Sequence, residues 1–254
     1  RNRVKNKMIR PTSIPYLMED LEIEQAICRE ALRLSFEQHA LLADGLKGVQ
    51  HQAEIGSIFS QGEKRSLIDP MRLDMLIGSG GVLSHAPERW QTAWMLLDSY
   101  LPCGITQLAV DSIFMMPQLG VLSSILPEAA AYVFEKDCLI ELGTCVAPRF
   151  TNGKAAAPGQ DLLKVELEGE ASFILHMGEI KVKKLPVGQS IKARLLPLSR
   201  TDVGQGAGQA VECVLKGGTT GVIFDGRGRE PFILPQERSA LISKLQEWKA
   251  ALKG

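Results

Sequence analysis

Asp74-Met75-Leu76-Ile77-Gly78-Ser79-Gly80-Gly81-Val82-Leu83-Ser84-His85-Ala86-Pro87 is the stretch that decides how this chain is read. Asp74 to Ile77 has the character of a short strand. Three glycines and a serine follow without a bulky side chain, and Glu88 to Asp98 then carries apolar residues at helical spacing. The pattern is a strand, a tight glycine turn and a helix start. Glycine suits such a turn because the backbone there takes positive φ or lets a ligand come close to the main chain. N–H groups left exposed at the following helix start favour a phosphate, ribose hydroxyls or the edge of a base. The spacing is neither G-x-G-x-x-G nor a P-loop, since no Gly-Lys-Ser/Thr is present. Packing a helix onto a sheet is a second reason for glycine here, and the turn alone leaves both readings open. Its candidate contact residues are Gly78, Ser79, Gly80, Gly81 and Ser84.

Working outward, Trp90, Ala93, Trp94 and Leu97 fall at i, i+3, i+4 and i+7, the stripe of a helix packed on a core rather than a stacking platform. Ile105 to Val110 is a second apolar run of strand type, and it ends at Asp111. A carboxylate just past the carboxyl end of a strand lies where open α/β sheets collect ligands. Aspartate is equally a capping residue, so Asp111 is a candidate for either role. Pro127 opens a helix running to about Lys136, and Cys138 to Val146 reads as a strand interrupted by Gly143.

Upstream, Met18 to Ala43 reads as one long helix, with Glu19, Asp20, Glu22 and Glu24 near its start, where the helix dipole favours negative charge. Ile23, Ile27, Ala31, Leu34 and Leu41 form its expected core stripe, widened by Cys28, Leu32 and Phe36, and predict burial along much of its length. The basic run before it, from Arg1 to Arg10, reads as a solvated, frayed terminus. Gln50 to Lys64 is polar and reads as a loop or lid.

At about residue 150 the vocabulary changes. Leu162–Leu167, Ala171–Leu175, Glu179–Leu185, Ser190–Leu196, Ala210–Leu215 and Thr220–Phe224 are short β segments. The turn pairs between several of them favour antiparallel hairpins. The expected organisation is an α/β unit over residues 1–150, then a β-rich barrel or sandwich over 151–254 that closes with a helix from Pro235. Two further glycine loops lie in the second half. One carries Asp202 and Gly204. The other carries Asp225, Arg227 and Arg229, whose guanidinium forks suit a phosphate or carboxylate, or equally an ion pair that fixes a turn.

Lys+Arg and Asp+Glu each number 29, which gives no field favouring nucleic acid or an anionic membrane, and no run of apolar residues is long enough to span a bilayer. The five scattered cysteines form no C-x-x-C pair and read as buried thiols of a reducing, cytoplasmic compartment, with no metal site. No G-x-S-x-G, H-E-x-x-H or comparable catalytic arrangement is present.

Gly78 to Pro87, Leu108 to Gly120, Leu142 to Pro148, Asp202-Val203-Gly204, Gly221 to Arg229 and the Arg10 to Pro15 segment together resemble the MutL/GlmL-type glutamate mutase accessory family. The resemblance implies an actin-like, ribonuclease H-like ATPase fold. It also implies a partner among adenosylcobalamin-dependent carbon-skeleton mutases and a cofactor, ATP with magnesium. In such a fold the glycine turn serves the adenosine side of the nucleotide site, which assigns that role to Gly78, Ser79, Gly80 and Gly81. The Asp-x-Gly-x-Thr phosphate loop of actin-like proteins is absent from this sequence, so the expectation is a half-site completed by an N-terminal part of the same polypeptide. The chain alone is then expected to be a weak or inactive ATPase. The rival reading is a non-enzymatic binding module whose glycine loops only build turns.

Overall fold

A computed structural model describes residues 2–44, 68–151, 157–198, 200–229 and 234–254. The expected loop or lid at Gln50 to Lys64 lies outside them. Two helices open the chain, α1 (Asn2–Ile9) and α2 (Met18–Asp44). The basic N-terminal run is therefore not a frayed end. Arg3 pairs with Asp20 at 2.5 Å and Lys7 with Glu24, so the acidic first turns of α2 hold α1 against it.

Next come β1 (Met75–Gly78), the one-turn α3 (Gly81–Ser84), α4 (Arg89–Tyr100) and β2 (Gly104–Asp111). The hairpin of α5 (Met116–Ser123) and α6 (Pro127–Val133) follows, and a π-helical turn at Phe134–Cys138 replaces the end of the helix expected to reach Lys136. The remaining elements are β3 (Leu139–Ala147), β4 (Arg149–Phe150), β5 (Asp161–Leu167), β6 (Phe173–His176), β7 (Ile180–Lys183), β8 (Ser190–Pro197), β9 (Thr201–Asp202), β10 (Val211–Lys216), β11 (Val222–Asp225) and α7 (Arg238–Lys253).

The strands form a five-stranded mixed sheet in the order β1-β2-β3-β11-β7 and a four-stranded antiparallel sheet in the order β10-β8-β5-β6, while β4 and β9 make a small ribbon. β1 runs parallel to β2, β2 antiparallel to β3, and β11 parallel to β3. The residues beyond 150 therefore do not close into a barrel or sandwich of their own. Two of their strands complete the sheet begun by β1 to β3.

Period-two alternation explains how that sheet buries both faces. In β3, Cys145 and Ala147 point into a core with Trp90, Trp94, Leu97 and Leu108, which the helices cover. Val146 between them points into a second core with Leu163, Val165, Leu195 and Phe224, which the four-stranded sheet covers. β11 repeats the device, with Ile223 on the helical side and Val222 and Phe224 on the other. The result is three layers: helices, mixed sheet, antiparallel sheet.

Trp90 and Trp94 pack into the core as expected. The burial expected of α2 does not hold. Cys28 and Leu32 pack on the first core and Phe36 meets Tyr100 edge-on, yet Ile27 and Leu34, on the stripe that should face inward, are 38% and 50% exposed. One apolar row suffices to seat the helix on α4, and Ile27 and Leu34 face out.

Gly143 is a point where the fold requires glycine. Its φ is +128°, it sits opposite the register shift at Leu108/Ala109, and a Cβ placed there would stand 1.9 Å from the Gly221 carbonyl oxygen. Gly143→Ala therefore has to push β3 away from the loop that leads into β11. We expect it to cost about 2–4 kcal/mol, measured as a lower urea midpoint with an unchanged m value.

Candidate functional site

β1 and β2 are parallel neighbours, so their carboxyl ends, Gly78 and Asp111, lie on the same edge of the sheet. The chain leaves β1 through Ser79 and Gly80, the latter at φ +111°, and enters α3 at Gly81. A Cβ on Gly80 or Gly81 would meet no atom within 4 Å, so the main chain at this turn is open on its outer side. Gly78 differs: its Cβ position is filled to 3.1 Å by Leu83 and Leu96, which makes it a packing glycine.

Of the other five predicted residues of this group, Ser79 and Ser84 contact the sixth, Asp111. The Ser79 hydroxyl donates to Asp111 Oδ2 at 3.1 Å, and the Ser84 hydroxyl donates to the Asp111 carbonyl. The Met115 and Met116 amides donate to the two carboxylate oxygens at 3.1 and 2.9 Å. Asp111 is fully buried. Burial acts to raise its pKa, but the hydrogen bonds from Met116, Met115, Ser79 and Ile113 outweigh it and hold the carboxyl below its usual range. These contacts give Asp111 the geometry of a cap. It caps the turn into α5 and fixes the Ser79 side chain.

The other candidate residues lie elsewhere. Asp225 is at the end of β11, which is the end where β3 pairs with Gly104 of β2. That is the opposite end of β2 from Asp111, about 24 Å away at 3.4 Å per residue. The Asp225 carboxylate is fully buried and receives Arg227 Nε at 3.0 Å, Arg227 Nη2 at 2.8 Å and Arg229 Nη2 at 3.1 Å. Arg227 also donates to Asp98 of α4 at 2.6 Å and stacks over Trp248 of α7, while Arg229 donates to the Pro102 carbonyl at 2.7 Å. Both guanidinium forks face inward to protein partners. Of the two readings of this loop, the contacts are those of ion pairs that fix a turn.

Desolvation would raise the Asp225 pKa, yet the two arginine charges hold it far below the carboxylate range. Burial together with the Asp225 charge pushes the neighbouring Cys145 thiol up to about 12, so that cysteine is an inert core group.

Asp202 and Gly204 make a separate turn, in which Asp202 Oδ1 accepts the Gly204 and Gly206 amides at 2.7 and 2.9 Å. Among the described residues no group of three or more His, Cys, Asp and Glu is placed to hold a metal ion. No helix of the described residues is long and apolar enough to cross a membrane.

Sequence reasoning missed Asp98 and Arg29, which extend the ionic cluster onto α4 and α2. The available signal was Asp98 itself, the single acid in the helix Arg89–Tyr100.

The arrangement defines a mixed α/β protein with two sheets, a C-terminal helix and a glycine turn at the carboxyl edge of parallel strands. A family model described as MutL protein matches residues 1–138, just over half of the chain. The chain belongs to this family of glutamate mutase accessory proteins. No curated protein and no solved structure matches it.

Replacing Asp225 with Asn leaves Arg229 buried without its counter-charge and Arg227 with Asp98 alone. We expect Asp225→Asn to lose about 3–5 kcal/mol at pH 7 in urea unfolding. The folded pKa is depressed, so this contribution is fully present above the unfolded value near 4 and falls away as pH drops below it. The gap between wild type and variant should therefore narrow below about pH 4.

Proposed function

We propose that this chain supplies the adenosine side of a nucleotide site in an actin-like ATPase that maintains or reactivates an adenosylcobalamin-dependent carbon-skeleton mutase. The observation that carries the reading is the open main chain at Gly80 and Gly81, at the carboxyl edge of the parallel pair β1 and β2. A ribose or base edge can approach that backbone without displacing a side chain. The Ser79 hydroxyl, oriented by Asp111, is the neighbouring side-chain group suited to a ribose hydroxyl. Family membership supports the accessory role toward a mutase.

In this reading the adenosine group of ATP sits against Gly80 and Gly81, while a further lobe closes over the phosphates and magnesium. Asp111 acts in this reading by orienting Ser79, whose hydroxyl donates to it. No catalytic residue is assigned to this chain, and we expect it to turn over ATP slowly or not at all without that lobe. Closure would reach the mutase through the antiparallel sheet. The setting would be the cytoplasm, where a reducing milieu keeps the five thiols free.

A second reading, a non-enzymatic binding module, is favoured by one observation. Ser79, Ser84 and Asp111 satisfy one another internally, as a purely structural turn would.

Amide hydrogen exchange with and without ATP and Mg²⁺ separates the two. The nucleotide reading predicts severalfold slower exchange at Gly78 to Ser84, with the Asp202 turn unchanged. Unchanged exchange at Gly78 to Ser84, both in this chain and in the polypeptide carrying the further lobe, would overturn it.

A further inference from the structure

The seam between α2 and α4 holds an unusual set of groups. Gln25 and Arg29 are one helical turn apart on α2, and the Arg29 guanidinium lies 4.7 Å from the ring centroid of Trp94 on α4. Gln25 and Trp94 are 5% and 6% exposed. Gln25 Nε2, Arg29 Nε and Trp94 Nε1 are all buried and have no hydrogen-bond partner among the described residues. Three buried donors without an acceptor are costly, at about 1–3 kcal/mol each, and native proteins seldom leave them so.

The charge balance points the same way. Ion pairs run from Arg229 to Asp225, Arg227, Asp98 and Arg29, so three guanidinium groups stand against two carboxylates. Arg29 has the weakest link in this chain, 3.6 Å to Asp98, beyond hydrogen-bond range. Glu22 also acts on Arg29 but is itself paired with Lys249, so one positive charge is left over, beside the three empty donors. The Arg29 and Asp98 side chains are 24% and 23% exposed, which gives the seam an opening to solvent.

We propose that this seam, at Gln25, Arg29 and Trp94, is a binding site for the carboxylate group of a small organic acid. A carboxylate carries the single negative charge the cluster lacks, and its two oxygens have lone pairs enough for all three N–H groups. A buried water would satisfy donors but leave the charge uncompensated, and a phosphate dianion would overshoot it.

Indole ¹H–¹⁵N spectra give a direct test, because the chain has three tryptophans and the other two are internal controls. The Trp90 indole donates to Glu88, and that of Trp248 to the Gly178 carbonyl. Formate is the probe, titrated into the whole chain at constant ionic strength against perchlorate, with the Trp94 signal identified by its loss in Trp94→Phe. We expect formate to move the Trp94 indole signal saturably while the other two stay fixed. Arg29→Met, with its fold checked by the amide spectrum, should weaken the apparent affinity by about tenfold or more. Gln25→Leu serves the same purpose if Arg29→Met does not fold. A Trp94 signal that formate leaves in place, or that perchlorate moves equally, would overturn the proposal.

Discussion

Asp225 is a carboxylate with no access to water, and the molecule is arranged so that it can stay charged. An isolated buried carboxylate is prohibitively costly, so two guanidinium groups have to be brought to it and held there. Arg227 and Arg229 come from the turn that follows, but each also needs partners for its remaining N–H groups. Those partners lie on other elements: Asp98 on α4, and the Pro102 carbonyl just before β2. Trp248 of α7 covers the Arg227 face. Satisfying one carboxylate thereby fixes the positions of α4, α7 and β2 relative to β11. The same loop is tied to the antiparallel side, because Gly226 exchanges amide hydrogen bonds with the Gly178–Glu179 turn. Breaking the pair at one end would expose the unmet charge of every other member.

That constraint explains why the folding unit is larger than the segment the MutL family model covers. The match ends at Cys138, one residue before β3 begins. β3 is nonetheless the full-length antiparallel partner of β2, and it alone connects β2 to β11. A chain ending at 138 would leave the edge of β2 unpaired and the Trp90–Trp94 core without Cys145, Ala147 and Ile223. The glycine turn at Gly78 to Ser84 therefore rests on residues from beyond the matched segment.

Local elements were legible in the sequence to within a few residues because each carries its own signal. The 3.6-residue period marks α4 and alternation marks β5 and β8. Of the expected hairpin turns, only Glu168-Gly169 joins paired strands, β5 and β6, whereas those at Met177-Gly178, Val187-Gly188 and Gly217-Gly218 carry the chain from one sheet to the other. Long-range placement was not legible. β7 and β11 look like hairpin strands of the second half, yet β11 docks on β3 and β7 on β11, and nothing in so short a window records which sheet a strand will join. The same limit applied to α2. Two candidate stripes are present in its sequence, and the choice between them depends on what α4 offers: Trp94, Tyr100 and Asp98 receive Arg29 and Phe36, which leaves Ile27 and Leu34 outside. At the site, the juxtaposition of Ser79 with Asp111 was within reach, since both follow apolar strands. The occupation of the Arg227 and Arg229 forks was legible only in part, because Asp225 lies in the same loop while Asp98, the second partner of Arg227, and the Pro102 carbonyl, a partner of Arg229, are more than a hundred residues away in the chain.

A binding site needs polar groups left unmet by the protein itself, and this criterion ranks the three glycine loops in a way their composition does not. At Asp225 every fork is turned inward, so the richest-looking motif has least to offer a ligand. At Asp202 the carboxylate is spent on its own loop. At Gly80 and Gly81 the side chains nearby are satisfied, while the outer face of the backbone is open. A ligand there would be read by main-chain groups and shape, with little contribution from charge. Such a site discriminates by fit, and its affinity depends on what closes over it. The seam at Gln25, Arg29 and Trp94 is the opposite case, a closed place with donors and charge left over. The first site asks for a partner surface to complete it, whereas the second asks only for a small anion.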